Sequence, residues 1–339
     1  MTEQRPLACI ILAAGQGKRM KSSLPKALHK IAGRSMLGWL IDTLENLSPE
    51  KIIIVHGPDQ DGLIQEAGSH ETAIQNEPLG TGDAVKAALP ALKDFYGDVL
   101  ILLGDMPLIT ADTLRALIDK SRHDDETILS VLGAEYDPVP AYGRLVLGTD
   151  GALTKIVEDK DCSADERSIK LCNTGAFCVD GARLPELVNK IKNDNAQGEF
   201  YITDIAEIAA HSGASAHVHV TKNIEEVSGT NDRAGLAVLE KIVQDRLRAR
   251  AMENGATLID PATTYFSWDT KLGQDVVIEP GVFFGPGVTV ADGVHIKAYS
   301  YLEDTVVKNA ATVGPFARLR PGAVIGEGSR ICNFVQVKN

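Results

Sequence analysis

From Ile278 onward an apolar residue returns at every sixth position: Ile278, Phe284, Val290, Ile296 and Leu302. After one five-residue step the series resumes with Val307, Val313, Leu319, Ile325, Ile331 and Val337. A period of six suits neither the 3.6 of a helix nor the simple alternation of an isolated strand. Glycines and prolines between the apolar positions supply turns, so each hexapeptide reads as a short strand and a corner. The apolar side chains then stack on one another only if the chain coils as a parallel β-helix. The repeat runs to Asn339 in mid-coil, although the end of a solenoid needs a polar cap, so a longer natural chain is expected.

The repeat follows a helix-periodic stretch, 234–254, in which Leu236, Leu239, Ile242, Val243 and Leu247 share one face. Glu240, Asp245, Arg246, Arg248 and Arg250 are expected on the others, and Gly255 is placed to end the helix. About twenty helical residues span about 30 Å, enough to link two domains. Before it, from Leu7 to about Val220, apolar runs alternate with helical stretches, the pattern of an α/β unit with a mostly parallel sheet. Strands are expected over 7–14, 51–56, 98–103 and 127–134, and helices over 36–47, 81–91 and 111–121. The domains read as 1–233, a linker helix 234–254 and a β-helix 255–339.

The first apolar run, Leu7-Ala-Cys-Ile-Ile-Leu-Ala-Ala14, enters the turn Gly15-Gln-Gly-Lys-Arg-Met-Lys-Ser-Ser-Leu-Pro-Lys26. Gly15 and Gly17 let backbone N–H groups approach an anion, and Lys18, Arg19, Lys21 and Lys26 bring positive charge. The ligand implied is polyphosphorylated. A Walker loop requires four residues between its first glycine and the Gly-Lys pair, and here there is one. A dinucleotide fingerprint requires a third glycine where Met20 stands, and Pro25 interrupts the helix that should follow.

Other segments fall at the carboxyl ends of expected strands, where open α/β sheets bind ligands. Gly104-Asp105 places a carboxylate just past the strand 98–103; one carboxylate plus substrate phosphates is the coordination Mg²⁺ favours. Gln75-Asn-Glu-Pro-Leu-Gly-Thr-Gly82 opens a helix, so the N–H groups of Gly80 and Thr81 can face a nucleotide. His217 and His219 share a strand face but have no evident third metal ligand. A net charge of −12 argues against nucleic-acid binding. No leader-like or membrane-spanning apolar stretch is present, which points to the cytoplasm. The five cysteines include no C-x-x-C pair and read as reduced structural thiols.

The string L-A-A-G-x-G-x-R-M-x-x-x-x-P-K, with its continuation Ala27-Leu-His-Lys-Ile-Ala-Gly33, resembles the signature of the sugar-nucleotide pyrophosphorylases. The continuation resembles the branch that makes UDP-N-acetylglucosamine and pairs uridylyl transfer with acetylation of glucosamine 1-phosphate. The resemblance implies a Rossmann-like nucleotidyltransferase domain followed by a left-handed β-helix that assembles as a homotrimer. It implies UTP and N-acetylglucosamine 1-phosphate as substrates, Mg²⁺ as cofactor, and acetyl-CoA as a partner of the full-length chain alone.

Residue by residue, it assigns Leu12, Ala13, Ala14, Gly15, Lys26 and Gly104 to substrate binding, with Arg19 and Lys26 catalytic. Gln75, Gly80 and Thr81 fall to the uracil, and Asp105 with Asn231 of Gly229-Thr-Asn-Asp-Arg233 to the metal. Gly143, Glu158 and Asn173, from Y-G-R, V-E-x-K and N-T-G, together with Tyr201 and Thr203 of E-F-Y-x-T-D, fall to the sugar. Arg320 and Lys338 match contacts to an amino-sugar phosphate in the β-helix. Two departures from the pattern are Leu103 in place of an aromatic and Pro78 in place of a glutamine. Alternative readings are transfer to another sugar 1-phosphate or a non-catalytic sugar-nucleotide sensor; the latter would be expected to lose Asp105 or Lys26.

Overall fold

The strand Leu7–Leu12 lies at the centre of a nine-stranded sheet, in a computed structural model that describes residues 5–122 and 126–338. The chain divides into two units: one runs to His29 and resumes over Ser35–Arg233, and the other comprises Lys30–Arg34 and residues from Ala234 onward.

In the first unit, Leu7–Leu12 pairs in parallel with Lys51–His56 on one side and Asp98–Leu103 on the other. Glu71–Ile74 extends the sheet beyond Lys51–His56. On the far side, Leu171–Asp180 runs antiparallel between Asp98–Leu103 and Thr127–Glu135, and Ser215–Val220 forms the edge. The alternation of the pleat sends Ile10, Ile53, Val55 and Ile101 to one apolar cluster and Cys9, Ile11, Ile54, Leu100 and Leu102 to the other. Both faces are covered, so the strands read as continuous apolar runs. The helix Thr81–Ala88 closes the first face through Ala84, Val85 and Ala88. Met36–Glu45 and Ala111–Ser121 close the second through Leu37, Leu40, Leu44, Leu114 and Leu117.

Several boundaries differ from the sequence expectations for physical reasons. The first strand ends at Leu12: the Ala13 N–H still donates to the Val55 carbonyl at 2.8 Å, and the glycine turn then draws the chain out of the ladder. The helix expected over 81–91 ends at Ala88 in a 3₁₀ turn, Leu89–Leu92, because Pro90 has no N–H to give the Lys86 carbonyl. The helix expected over 36–47 ends at Glu45, with Leu47 N–H tightened onto the Leu44 carbonyl.

The helix Arg233–Glu253, which belongs to the second unit from Ala234 onward, buries Leu239, Val243 and Leu247. It ends in a Schellman turn: Ala256 N–H reaches the Ala251 carbonyl, Gly255 N–H reaches that of Met252, and Gly255 adopts φ +97°. Two of the charged residues expected off the apolar face are engaged by backbone groups. Glu240 accepts from the Ala32 N–H at 2.7 Å, and the Arg248 guanidinium is buried, donating to the Thr264 carbonyl at 2.8 Å. Gln244 is also buried, bonded to both the N–H and the carbonyl of Phe266.

Two-residue strands then form three parallel sheets. Val277 pairs with His295 and His295 with Thr312, steps of 18 and 17 residues; the shorter one spans the five-residue interval. The second residue of each strand from Ile278 to Ile325 points inward and is buried, which is the six-residue series of the sequence. This is the left-handed β-helix architecture of hexapeptide proteins.

Candidate active site

The carboxyl ends of the parallel strands open onto a cleft of about 640 Å³, lined entirely by residues of the first unit. Leu12, Ala13, Ala14 and Gly15, where the central strand becomes the loop, form one wall. An added Cβ at Gly15 would meet no protein atom, so a side chain there would occupy the cleft itself. Gly17 adopts φ +58° and opens the 3₁₀ turn Lys18–Met20. A Cβ at Gly17 would lie 2.8 Å from that of Lys26, so the glycine lets the two ends of the loop close on each other. Arg19 and Lys26 line the cleft, whereas Lys18 and Lys21 are exposed and outside its lining.

Pro25 leads into the turn Lys26–Leu28 and sends the Lys26 stem inward. Its Nζ donates to Asp105 Oδ2 at 2.5 Å and to Asn231 Oδ1 at 3.1 Å. Two segments far apart in sequence thus present oxygen atoms to a single ammonium. An all-oxygen pair, one charged and one neutral, fits a hard divalent cation that takes its remaining ligands from phosphates and water. Among the described residues no cluster of three His, Cys, Asp or Glu forms a self-sufficient metal cage, His217 and His219 included. Arg233 ties the Asn231 segment to the loop: its Nε donates to the Met20 carbonyl at 3.2 Å, and its Nη1 lies 3.4 Å from His29 Nδ1. Burial and the Arg233 charge lower the His29 pKa.

Gln75, Pro78, Gly80 and Thr81 also line the cleft. Gly80 has φ +117°, and a Cβ there would stand 2.5 Å from the Phe200 carbonyl oxygen. Gln75 is buried, and its Nε2 donates to the Gly80 carbonyl at 3.0 Å and to Asp83 Oδ2 at 2.9 Å. Sequence reasoning did not single out Asp83, since an acidic residue in the first turn of a helix is already accounted for by the helix dipole.

Gly104, Gly143, Glu158 and Asn173 form a further part of the wall. Gly143 and Glu158 flank the hairpin Arg144–Leu147 and Leu153–Val157, and the Asn173 N–H donates to the Gly143 carbonyl at 2.8 Å. Burial raises the Glu158 pKa, opposed by the Thr203 hydroxyl, which donates to Glu158 Oε1 at 3.1 Å. Thr203 and Tyr201 are buried behind this wall and do not line the cleft; the Tyr201 hydroxyl accepts from Gln197 Nε2 at 2.7 Å. Tyr142, Thr174, Gly175 and Glu199, which belong to the Y-G-R, N-T-G and E-F-Y-x-T-D segments but were not assigned as contacts, also join the lining. Arg320 and Lys338 belong to the second unit, exposed and on paired coils, with Arg320 N–H on the Val337 carbonyl.

A strand-to-loop cation cradle, an Asp–Asn oxygen pair and a helix-opening glycine turn in one cleft, in a chain that also forms a hexapeptide β-helix, define a nucleotidyltransferase of the sugar-nucleotide class. Residues 9–161 match the MobA-like NTP transferase domain family, and residues 269–303 match the bacterial transferase hexapeptide repeat. Over 332 residues the chain is 50% identical to the bifunctional protein GlmU of Paramagnetospirillum magneticum, covering 98% of this chain and 74% of that protein. It is 44% identical over 342 residues to GlmU of Zymomonas mobilis, covering 100% and 76%, and 47% identical over 335 residues to that of Sphingopyxis alaskensis, covering 98% and 74%. The chain belongs to the bifunctional GlmU family.

Proposed function

We propose that the cleft transfers a uridylyl group from UTP to N-acetyl-α-D-glucosamine 1-phosphate, giving UDP-N-acetylglucosamine and pyrophosphate. The observation that carries this reading is the meeting of Lys26, Asp105 and Asn231 at 2.5 and 3.1 Å beside the glycine loop. A phosphate oxygen of the sugar phosphate attacks the α-phosphorus in line. The bond from α-phosphorus to its bridging oxygen breaks, and pyrophosphate departs with that electron pair. The attacking phosphate is already ionised, so no side chain need act as base. Arg19 and Lys26 offset charge on the triphosphate and the transition state, and positioning supplies the rest. Asp105 and Asn231 would hold a divalent cation, which we take to be Mg²⁺; when bound it neutralises phosphate charge.

Gly143, Glu158 and Asn173 are the proposed sugar contacts, with Thr203 and Tyr201 acting through the wall behind them. In the second unit Arg320 and Lys338 are the proposed phosphate contacts for the acetyl-transfer half of the family's chemistry. Aromatic side chains exposed on that unit, among them Phe283 at 43% and Phe316 at 47%, support assembly as a homotrimer. Among the described residues no helix is long and apolar enough to cross a membrane. A cytoplasmic location, where UTP is made, is the reading adopted.

The test is pyrophosphate release with a panel of nucleoside triphosphates and sugar 1-phosphates. High activity is expected only with UTP and N-acetylglucosamine 1-phosphate. Equal or faster turnover with dTTP and glucose 1-phosphate would sink the assignment, and no turnover with any pair would favour a sensor.

A further inference from the structure

A side-chain amide has two chemically opposite ends, and which end meets a ligand decides what it selects. The side chain of Gln75 is buried, 6% exposed, at the wall of the cleft. Both hydrogens of its amide nitrogen are already committed, one to the Gly80 carbonyl at 3.0 Å and one to Asp83 Oδ2 at 2.9 Å. Both partners are acceptors only, so the reversed amide would set its oxygen against two oxygens. The Gly80 carbonyl also accepts the Ala84 N–H at 3.2 Å, and the chain on either side of it is held: Gly82 N–H donates to the Phe200 carbonyl at 2.7 Å, and Phe200 N–H to the Leu79 carbonyl at 2.8 Å. Gln75 Oε1 has no donor among the described residues and remains the free end.

We propose that Asp83, which does not line the cleft, sets the base preference by locking Gln75 with its carbonyl oxygen toward the nucleotide. This rests on Gln75 meeting the base, as the proposed function has it. An acceptor held there pairs with a ring N–H, which uracil carries at N3. Cytosine has a bare lone pair at the same position, so it meets oxygen against nitrogen with no hydrogen between them. Asp83 is a positioning residue: its carboxylate acts on the base only through the orientation of Gln75.

The test compares kcat/KM for UTP and CTP, with N-acetylglucosamine 1-phosphate as acceptor, in the wild type and in Asp83→Asn. An amide at position 83 offers a donor to a reversed Gln75, so only the Gly80 carbonyl still opposes the reversal. The wild type should favour UTP by a factor on the order of 10⁴, the scale at which a site built for an N–H rejects an analogue lacking it. In Asp83→Asn that ratio should fall by about tenfold or more, chiefly through KM. Losing a helix-capping charge would slow both nucleotides alike and leave the ratio unmoved, and an unmoved ratio overturns the proposal. Asp83→Ala, which removes the acceptor without adding a donor, provides the second measurement and should also lower the ratio. A wild type indifferent to the base would remove the proposed function and this inference together, whereas a selective wild type with an equally selective variant removes the inference alone.

Discussion

Lys26 Nζ lies between Asp105 Oδ2 and Asn231 Oδ1, so one ammonium holds the place where two oxygens converge. Replacing Asp105 by Asn should lower nucleotidyl transfer about a hundredfold or more, the scale of one lost electrostatic contact to developing charge, with circular dichroism unchanged. Near-normal activity in that variant would make the carboxylate structural. Lys26→Met should have effects of opposite sign: turnover falls, while Mn²⁺ titrated without nucleotide binds more tightly because the competing cation is gone. Weaker Mn²⁺ binding in Lys26→Met would show that the lysine organises the oxygen pair instead of standing in its way.

A second residue-level expectation concerns Asp204, whose pKa is pushed up to about 6 by burial and by the nearby charges of Glu207, Asp194, Glu158 and Asp161. The folded state therefore holds this proton more tightly than the unfolded chain, and stability is lost as pH rises through the interval from about 4 to about 6. Asp204→Asn removes a charge the fold disfavours. Its Tm should exceed that of the wild type at about pH 8, and the gap should close toward about pH 4. A gap that widened on acidification would contradict the sign.

At the scale of elements, polar side chains outside the expected apolar set bind the helix Arg233–Glu253 to the first β-helix coils. Gln244 satisfies the N–H and the carbonyl of Phe266 at 2.9 and 2.7 Å, and Gln244→Leu would strand both. The variant should lose about 1–3 kcal/mol, read as a lower midpoint for the second unit in thermal or urea unfolding. An unchanged midpoint would mean that water replaces the amide at no cost.

Helical periodicity sorts residues by apolar character, so it found Leu239, Val243 and Leu247 and placed Arg248 off that face, with nothing to mark it as buried. The partners of Gln244 and Arg248 lie 22 and 16 residues away, and their bonds are to backbone, which leaves no sequence signature. The strap Lys30–Arg34 was illegible for the same reason. It groups with the second unit through the Ala32 N–H to Glu240 and the Ala32 carbonyl to Trp268 N–H at 2.8 Å, assisted by the Arg34 guanidinium 4.2 Å from the Trp268 ring centre. The repeat was legible because its period matches neither helix nor hairpin and the second residue of every strand from Ile278 to Ile325 is apolar. In the cleft, the motifs named the walls but could not separate lining from support. Thr203 and Tyr201 carry the same chemistry as contacts, and packing alone placed them behind Glu158.

For the whole molecule, the distribution of the lining decides what the second unit contributes to uridylyl transfer. Every residue lining the cleft lies between Leu12 and Asn231, in the first unit. A lesion deep in the β-helix should therefore leave this chemistry intact. Val313 is fully buried between the rungs of Ile296 and Ile331, so Val313→Asp puts an unpaired charge into the interior at a cost of several kcal/mol. In a solenoid each coil leans on its neighbours, so the damage should spread along the coils and appear as a lowered or broadened transition of that unit. Below that transition, pyrophosphate release from UTP and N-acetylglucosamine 1-phosphate should keep its kcat within about twofold, since no lining residue has moved. A tenfold fall in kcat, with the α/β unit still folded by hydrogen exchange, would show that the catalytic cleft depends on the β-helix for more than attachment.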